Sequence, residues 1–164
     1  MSNETGSEIK SLTESERYLE FDLGSEHYAI RLLQVKEVIP VPETTAIPKA
    51  PSYFLGIMNL RGHIISIVDL RKKMGVASKQ DLEEEAVIIA DVGGIQIGVI
   101  VDSINRVLPV TMKDVSEVPE VSSQVNAKYI QGIFRKENSL TVLLDLGGVL
   151  DLKDLNFAKS KQAA

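Results

Sequence analysis

Two aspartates are each followed by leucine and then by a run that suits a short helix: Asp69 before Leu70-Arg71-Lys72-Lys73-Met74, and Asp145 before Leu146-Gly147-Gly148. A carboxylate pair brought together by internal symmetry could activate water as aspartic proteases do, with one acid ionised and its neighbour protonated. The local motifs argue against it. Asp-Leu-Arg and Asp-Leu-Gly stand where such enzymes need Asp-Thr-Gly or Asp-Ser-Gly, and 164 residues is short for that class. A helix N-cap explains both aspartates, because each carboxylate can accept the free N–H groups of the following turn, and Gly75 suits the left-handed position that ends the first helix.

Other reactive constellations are missing. His27 and His63 are the only histidines and lie in different segments, there is no cysteine, and no His-x-x-x-His spacing occurs, so no metal site is expected. Gly93-Gly94 and Gly147-Gly148 lack the Gly-Lys-Ser of a phosphate loop and are explained by turn chemistry. No serine, histidine and aspartate are spaced as a nucleophilic triad. No cofactor is called for.

The residues that remain are suited to recognition. Gly56 to Leu70 reads as two apolar runs joined at Arg61-Gly62, a strand, turn and strand closing on Asp69. A bare hairpin would ask only for small or Asn-Gly-like residues there, so the long cation of Asn59-Leu60-Arg61-Gly62 is a candidate contact. Glu37, between Val35 and Val38 on another strand, is a second.

Bulk properties narrow the partners. Eighteen basic residues against twenty-three acidic ones give a net charge of −5, and the largest basic cluster is Arg71-Lys72-Lys73, which disfavours nucleic acid. Absence of cysteine points to a reducing compartment. The first residues have neither a basic start nor an apolar run, and no stretch reaches the roughly eighteen apolar residues that span a bilayer. A soluble, cytoplasmic protein without membrane insertion is expected.

Residues 1–16, with Ile9 and Leu12 as the apolar members of a polar stretch, read as a flexible arm. Tyr18 to Leu23 and Tyr28 to Leu32 then form a hairpin, and Val35 to Ile39 a strand ended by Pro40 and Pro42. Residues 76–85 are the best linker. Val87 to Val92 and Ile95 to Val101 make a second hairpin across Gly93-Gly94, with Gly98 marking a bulge or a close backbone approach. A strand ending at Val110 follows. Leu150 to Leu155 reads as a short helix, and residues 156–164 as a fraying tail.

These segments repeat. An offset of 69 residues pairs Asp22 with Asp91, Gly24 with Gly93, Val38 with Val107 and Pro40 with Pro109. An offset of 76 then pairs Tyr53 with Tyr129, Gly56 with Gly132, and Asp69 with Asp145. The second copy carries seven more residues between Val110 and Tyr129 than the first has between Val41 and Tyr53. The fold class expected is all-β with short helices: two small five-stranded barrels, residues 17–75 and 86–155, too small to stand apart and packed on a shared core within one domain, 17–155. What both copies keep is fold, and what one alone keeps is a candidate for function. Asn59-Leu60-Arg61-Gly62 faces Arg135-Lys136-Glu137-Asn138, an ordinary polar turn, and Glu37 faces Arg106.

With Val35-Lys36-Glu37-Val38, Gly56-Ile57-Met58-Asn59-Leu60-Arg61-Gly62 and Ile67-Val68-Asp69-Leu70 in that order, the chain resembles the CheW family of bacterial chemotaxis coupling proteins. Gly98-Val99, Val101-Asp102 and Tyr129 to Gly132 fit the family's second half. The resemblance implies two SH3-like five-stranded barrels around a common core, and a non-catalytic adaptor that bridges methyl-accepting chemoreceptors to the regulatory domain of the histidine kinase CheA, in arrays or rings with those partners. Related modules also serve gliding, pilus and biofilm pathways. Carried over by position, Val35, Glu37 and Gly56 fall where family members meet the kinase, and Asn59, Leu60, Arg61, Ile104 and Val107 near the groove for the receptor's helical hairpin. One departure is Ser66, where the family commonly has proline; a locally loosened strand edge is expected there.

Overall fold

The computed structural model describes residues 16–77, 84–117 and 129–162. Strands β1 (Glu16–Leu23) and β2 (Glu26–Arg31) form a hairpin, and a 3-10 turn at Leu32–Gln34 leads to β3 (Val35–Pro40). The hairpin of β4 (Phe54–Leu60) and β5 (His63–Asp69) runs into helix α1 (Leu70–Met74). A third hairpin pairs β6 (Ala86–Val92) with β7 (Ile95–Val101), followed by β8 (Ser103–Val110) and a two-residue strand β9 (Val115–Ser116). Strands β10 (Ile130–Lys136) and β11 (Ser139–Leu144) precede two helices, α2 (Leu146–Val149) and α3 (Leu152–Gln162).

The strands make a six-stranded sheet, in the order β8-β1-β2-β11-β10-β9, and a five-stranded sheet, in the order β3-β6-β7-β5-β4. The all-β class with short helices holds, and the duplication is visible in detail. The Asp69 amide donates to the Tyr53 carbonyl at 2.7 Å, as Asp145 does to Tyr129 at 2.8 Å. Each pairs a strand in parallel with the other copy: β5 with β7, and β11 with β2.

That pairing corrects the expected barrel boundaries. Residues 17–75 and 86–155 are the two copies of the repeat, but neither forms a barrel alone. Strand β3 leaves its own copy to pair with β6, and β8 leaves its copy to pair with β1. The five-stranded sheet is therefore one continuous run, β3 to β7, and the six-stranded sheet is assembled from the chain on either side of it. Copies of this size have marginal cores, and exchanging strands lets each complete the other's sheet, with β3 covering β6 and β8 covering β1.

Alternation along the strands divides the core. Leu19, Phe21 and Leu23 of β1, Ile88, Ala90 and Val92 of β6, and Ile97, Val99 and Val101 of β7 share one large cluster between the sheets. The opposite faces enclose smaller cores: Tyr18, Ala29, Leu108, Val110, Phe134 and Leu143 in the six-stranded sheet, and Ile65, Ile67, Val87, Ile89 and Ile100 in the five-stranded one. Gly98 faces the latter as expected from its place in a strand; a Cβ there would lie 2.6 Å from Ile67 Cδ1 and 2.8 Å from Val87 Cγ1.

Two further expectations change. The C-terminal helix continues to Gln162, through much of the expected tail, because Phe157 packs on Phe54 with tilted rings, 4.7 Å between centres, and Ala158 is fully buried. Asp154, also buried, pairs with Lys73 Nζ at 2.8 Å and accepts a hydrogen bond from the Tyr53 hydroxyl. Ser66 sits on β5, between β7 and β4, so no strand edge exists there to loosen. Its side chain is fully buried, and the hydroxyl has no hydrogen-bond partner among the described residues. Of the expected arm (1–16), Glu16 instead opens β1, and residues 1–15, like the centre of the linker (78–83), lie outside the described residues; no described helix is long and apolar enough to cross a membrane.

Candidate functional site

Strands β3 and β4 are the two margins of the five-stranded sheet, and the residues singled out by the sequence gather where those margins meet. Thr45, beyond the end of β3, exchanges two backbone hydrogen bonds with Ile57 of β4, both 2.9 Å. The closure passes over Gly56, whose φ of +152° suits glycine and where a Cβ would stand 2.4 Å from the Thr45 carbonyl oxygen. The second copy closes the same way, with Ser116 opposite Ile133, and a Cβ on Gly132 would meet Val115 Cγ1 at 2.5 Å. Gly56 is thus buried, presents no side chain, and shapes the seam. By the logic of the repeat it belongs to the fold, although the resemblance groups it with the kinase contact.

Arg61 closes the same seam from outside. Its guanidinium forks onto Glu37, Nη1 to Oε1 at 2.6 Å and Nη2 to Oε2 at 3.1 Å. Arg61 holds this position at a conformational cost: its φ is +52°, a region L-residues avoid, followed by Gly62 at +88°. Asn59 fixes the turn by accepting the Gly62 amide at 2.8 Å. The Arg61 side chain is 72% exposed and that of Glu37 28%. The hydrogen bonds from Arg61 hold the Glu37 carboxyl below its ordinary range and in turn raise the guanidinium, so both stay charged at neutral pH. Beside the pair lies a shallow groove of about 320 Å³ lined by Lys36, Leu60, His63, Ile89 and Gln96. A bidentate cation and carboxylate rimming a shallow, mostly polar groove with Leu60 and Ile89 as its apolar members can select a partner by charge and shape.

The remaining residues lie elsewhere. Val35 is partly buried at the start of β3. Ile104 and Val107 are on β8, the margin of the other sheet; Ile104 is partly buried against the shared core and Val107 is 45% exposed. Val38, 41% exposed on β3, occupies the position equivalent to Val107 under the repeat offset.

Asp69 and Asp145 are both caps. Asp69 Oδ1 accepts the Arg71 amide and Asp145 Oδ1 the Gly147 amide, each at 3.1 Å. Asp69 is further committed to the Arg71 guanidinium, Nε to Oδ1 at 2.9 Å. Each carboxylate is spent on its own helix.

The model of the CheW-like domain matches residues 17–154. Chemotaxis protein CheW of Treponema pallidum is 36% identical over 139 residues, 82% of this chain and 82% of the relative. Chemotaxis protein CheW of Klebsiella aerogenes is 30% identical over 160 residues, 95% of this chain and 96% of the relative. The crystal structure of the scaffolding protein TtCheW from Thermoanaerobacter tengcongensis matches with a TM-score of 0.77 at 26% identity, covering 85% of this chain and 90% of that one.

Proposed function

The chain belongs to the CheW-like domain family, a family of non-catalytic scaffolds, and from that premise we propose that it couples methyl-accepting chemoreceptors to the histidine kinase CheA. The kinase's regulatory domain meets the β3 margin through Val35 and Glu37, with Gly56 acting by holding the seam beneath them. The receptor's helical hairpin meets Asn59, Leu60 and Arg61 from the five-stranded sheet and Ile104 and Val107 from the six-stranded one. Binding takes place on the cytoplasmic side of the membrane, in arrays where many modest contacts add up to avidity.

The observation that carries this reading is Arg61. Only one copy of the repeat has the Asn-Leu-Arg-Gly turn: the left-handed backbone is shared with Glu137 (φ +57°) in the equivalent turn and belongs to the fold, but only the first copy places there a long cation with most of its side chain in solvent, forked onto Glu37. Two sheets locked face to face can present two partners in a defined register, which is what an adaptor requires.

Co-sedimentation with a receptor signalling fragment and a CheA regulatory domain, added separately and then together, tests the proposal. Arg61→Asp and Glu37→Lys each leave the melting curve nearly unchanged, since the exposed pair adds little to stability, and abolish receptor-dependent kinase activation. Loss of the fold in both variants, or full activation in both, refutes it.

A further inference from the structure

We propose that Arg71 is a positioning residue that locks the angle between the two sheets, so that the parts of the receptor face carried by each stay in register. The inference rests on the reading above, in which the kinase contact lies wholly on the five-stranded sheet while the receptor contact draws Asn59, Leu60 and Arg61 from that sheet and Ile104 and Val107 from the other. Only the second contact depends on how the sheets are turned.

The chain crosses between the sheets at two points. From β2 to β3 it passes through the 3-10 turn at Leu32–Gln34, where Leu33 is 87% exposed. From β7 to β8 it passes through one residue, Asp102, which is 2% exposed. Groups from both sheets converge on Asp102. Its Oδ1 accepts Arg71 Nη1 at 2.8 Å, its Oδ2 accepts the Gly24 amide in the β1–β2 turn at 2.6 Å, and its own amide donates to the Asp22 carbonyl at 3.0 Å. Arg71, itself buried, also binds Asp69 through Nε and Nη2, at 2.9 and 3.1 Å, and Glu85 at 2.7 Å. The turn is wedged as well: a Cβ on Gly24 would lie 2.7 Å from the Ala77 carbonyl oxygen beyond α1.

This cluster lacks its symmetry mate. The repeat places Leu33 opposite Asp102 and Gly147 opposite Arg71, so one crossing is pinned by a buried fork and the other is not. A planar guanidinium can hold Asp69 and Asp102 together, whereas an ammonium cannot span both with the same geometry.

The chain has no cysteine, so nitroxide labels can be placed at two exposed sites, Leu55→Cys on β4 and Leu140→Cys on β11, and their separation measured by pulsed dipolar spectroscopy. One narrow distance distribution is expected with Arg71 present. Arg71→Lys, and Arg71→Met where it folds, at least double its width and weaken receptor-fragment binding at least tenfold, while kinase-domain binding is unchanged. Lys73→Met, which breaks a buried pair between α1 and α3 away from the crossing, serves as the destabilised control and keeps the narrow distribution. An unchanged width in Arg71→Lys, or equal broadening in Lys73→Met, overturns the lock. If the receptor fragment fails to bind even the unsubstituted chain, the receptor reading falls, while the label distances still decide whether Arg71 sets the angle.

Discussion

Replacing Gly56 by alanine puts a methyl group 2.4 Å from the Thr45 carbonyl oxygen and 2.8 Å from its carbon, at a φ of +152°. The backbone conformation alone costs roughly 1–3 kcal/mol for an L-residue. The contacted atoms are main chain and cannot swing aside, so the chain before β4 must move and the two Thr45–Ile57 hydrogen bonds open, each worth about 1 kcal/mol net. The total, roughly 3–5 kcal/mol, is a large share of the ~5–15 kcal/mol that holds a typical domain, and corresponds to a melting temperature lower by roughly 10 °C. Gly132→Ala is the internal comparison. Its φ is not positive and its closest clash is with a side chain, Val115 Cγ1, so an overpacking cost of about 1–3 kcal/mol is expected. Urea unfolding followed by circular dichroism measures both variants, with kinase-domain binding measured in parallel. A Gly56→Ala protein that melts like the parent yet no longer binds the kinase domain would make Gly56 a contact residue and remove the closure argument.

Ser66→Ala deletes a buried hydroxyl without a partner and should raise stability by about 1 kcal/mol in the same unfolding assay, whereas a cost would reveal a hydrogen bond in solution. Asp145→Ala loses a cap at about 1 kcal/mol, and Asp69→Ala, which also takes one of three carboxylates from the buried Arg71 and leaves it Asp102 and Glu85, costs more, about 2–3 kcal/mol, both by chemical denaturation. Lys73 illustrates linkage. Burial works against its charge, but its hydrogen bonds and attraction to Asp154 and Tyr53 outweigh this and raise its pKa above the ordinary 10.5. A raised ammonium gives stability that is complete below the unfolded value and lost as pH climbs through the folded one. Docking of α3, read from Phe157 packing by near-ultraviolet circular dichroism, should therefore persist to pH 10.5 and fail only above it; undocking below that pH contradicts the sign.

Much of the fold was written locally. Period-two apolar runs between turn residues specify the hairpins, Asp69 and Gly75 mark both ends of α1, and the offsets of 69 and 76 residues expose a duplication that the two sheets display strand for strand. Asn59 to Gly62 was legible as a candidate contact because its counterpart is an ordinary turn. The partners of each strand were not legible. An apolar alternating segment states which of its faces is buried but not which neighbour it will pair with, so β3 and β8 could not be assigned to the opposite copies from pattern alone. The same limit hid the Arg61–Glu37 fork, the closure role of Gly56 and the convergence on Asp102, all of which join residues far apart in the chain. Local backbone chemistry needs only neighbours in sequence, while pairing, seam closure and the angle between sheets depend on which distant surfaces bury one another, and only the tertiary structure decides that.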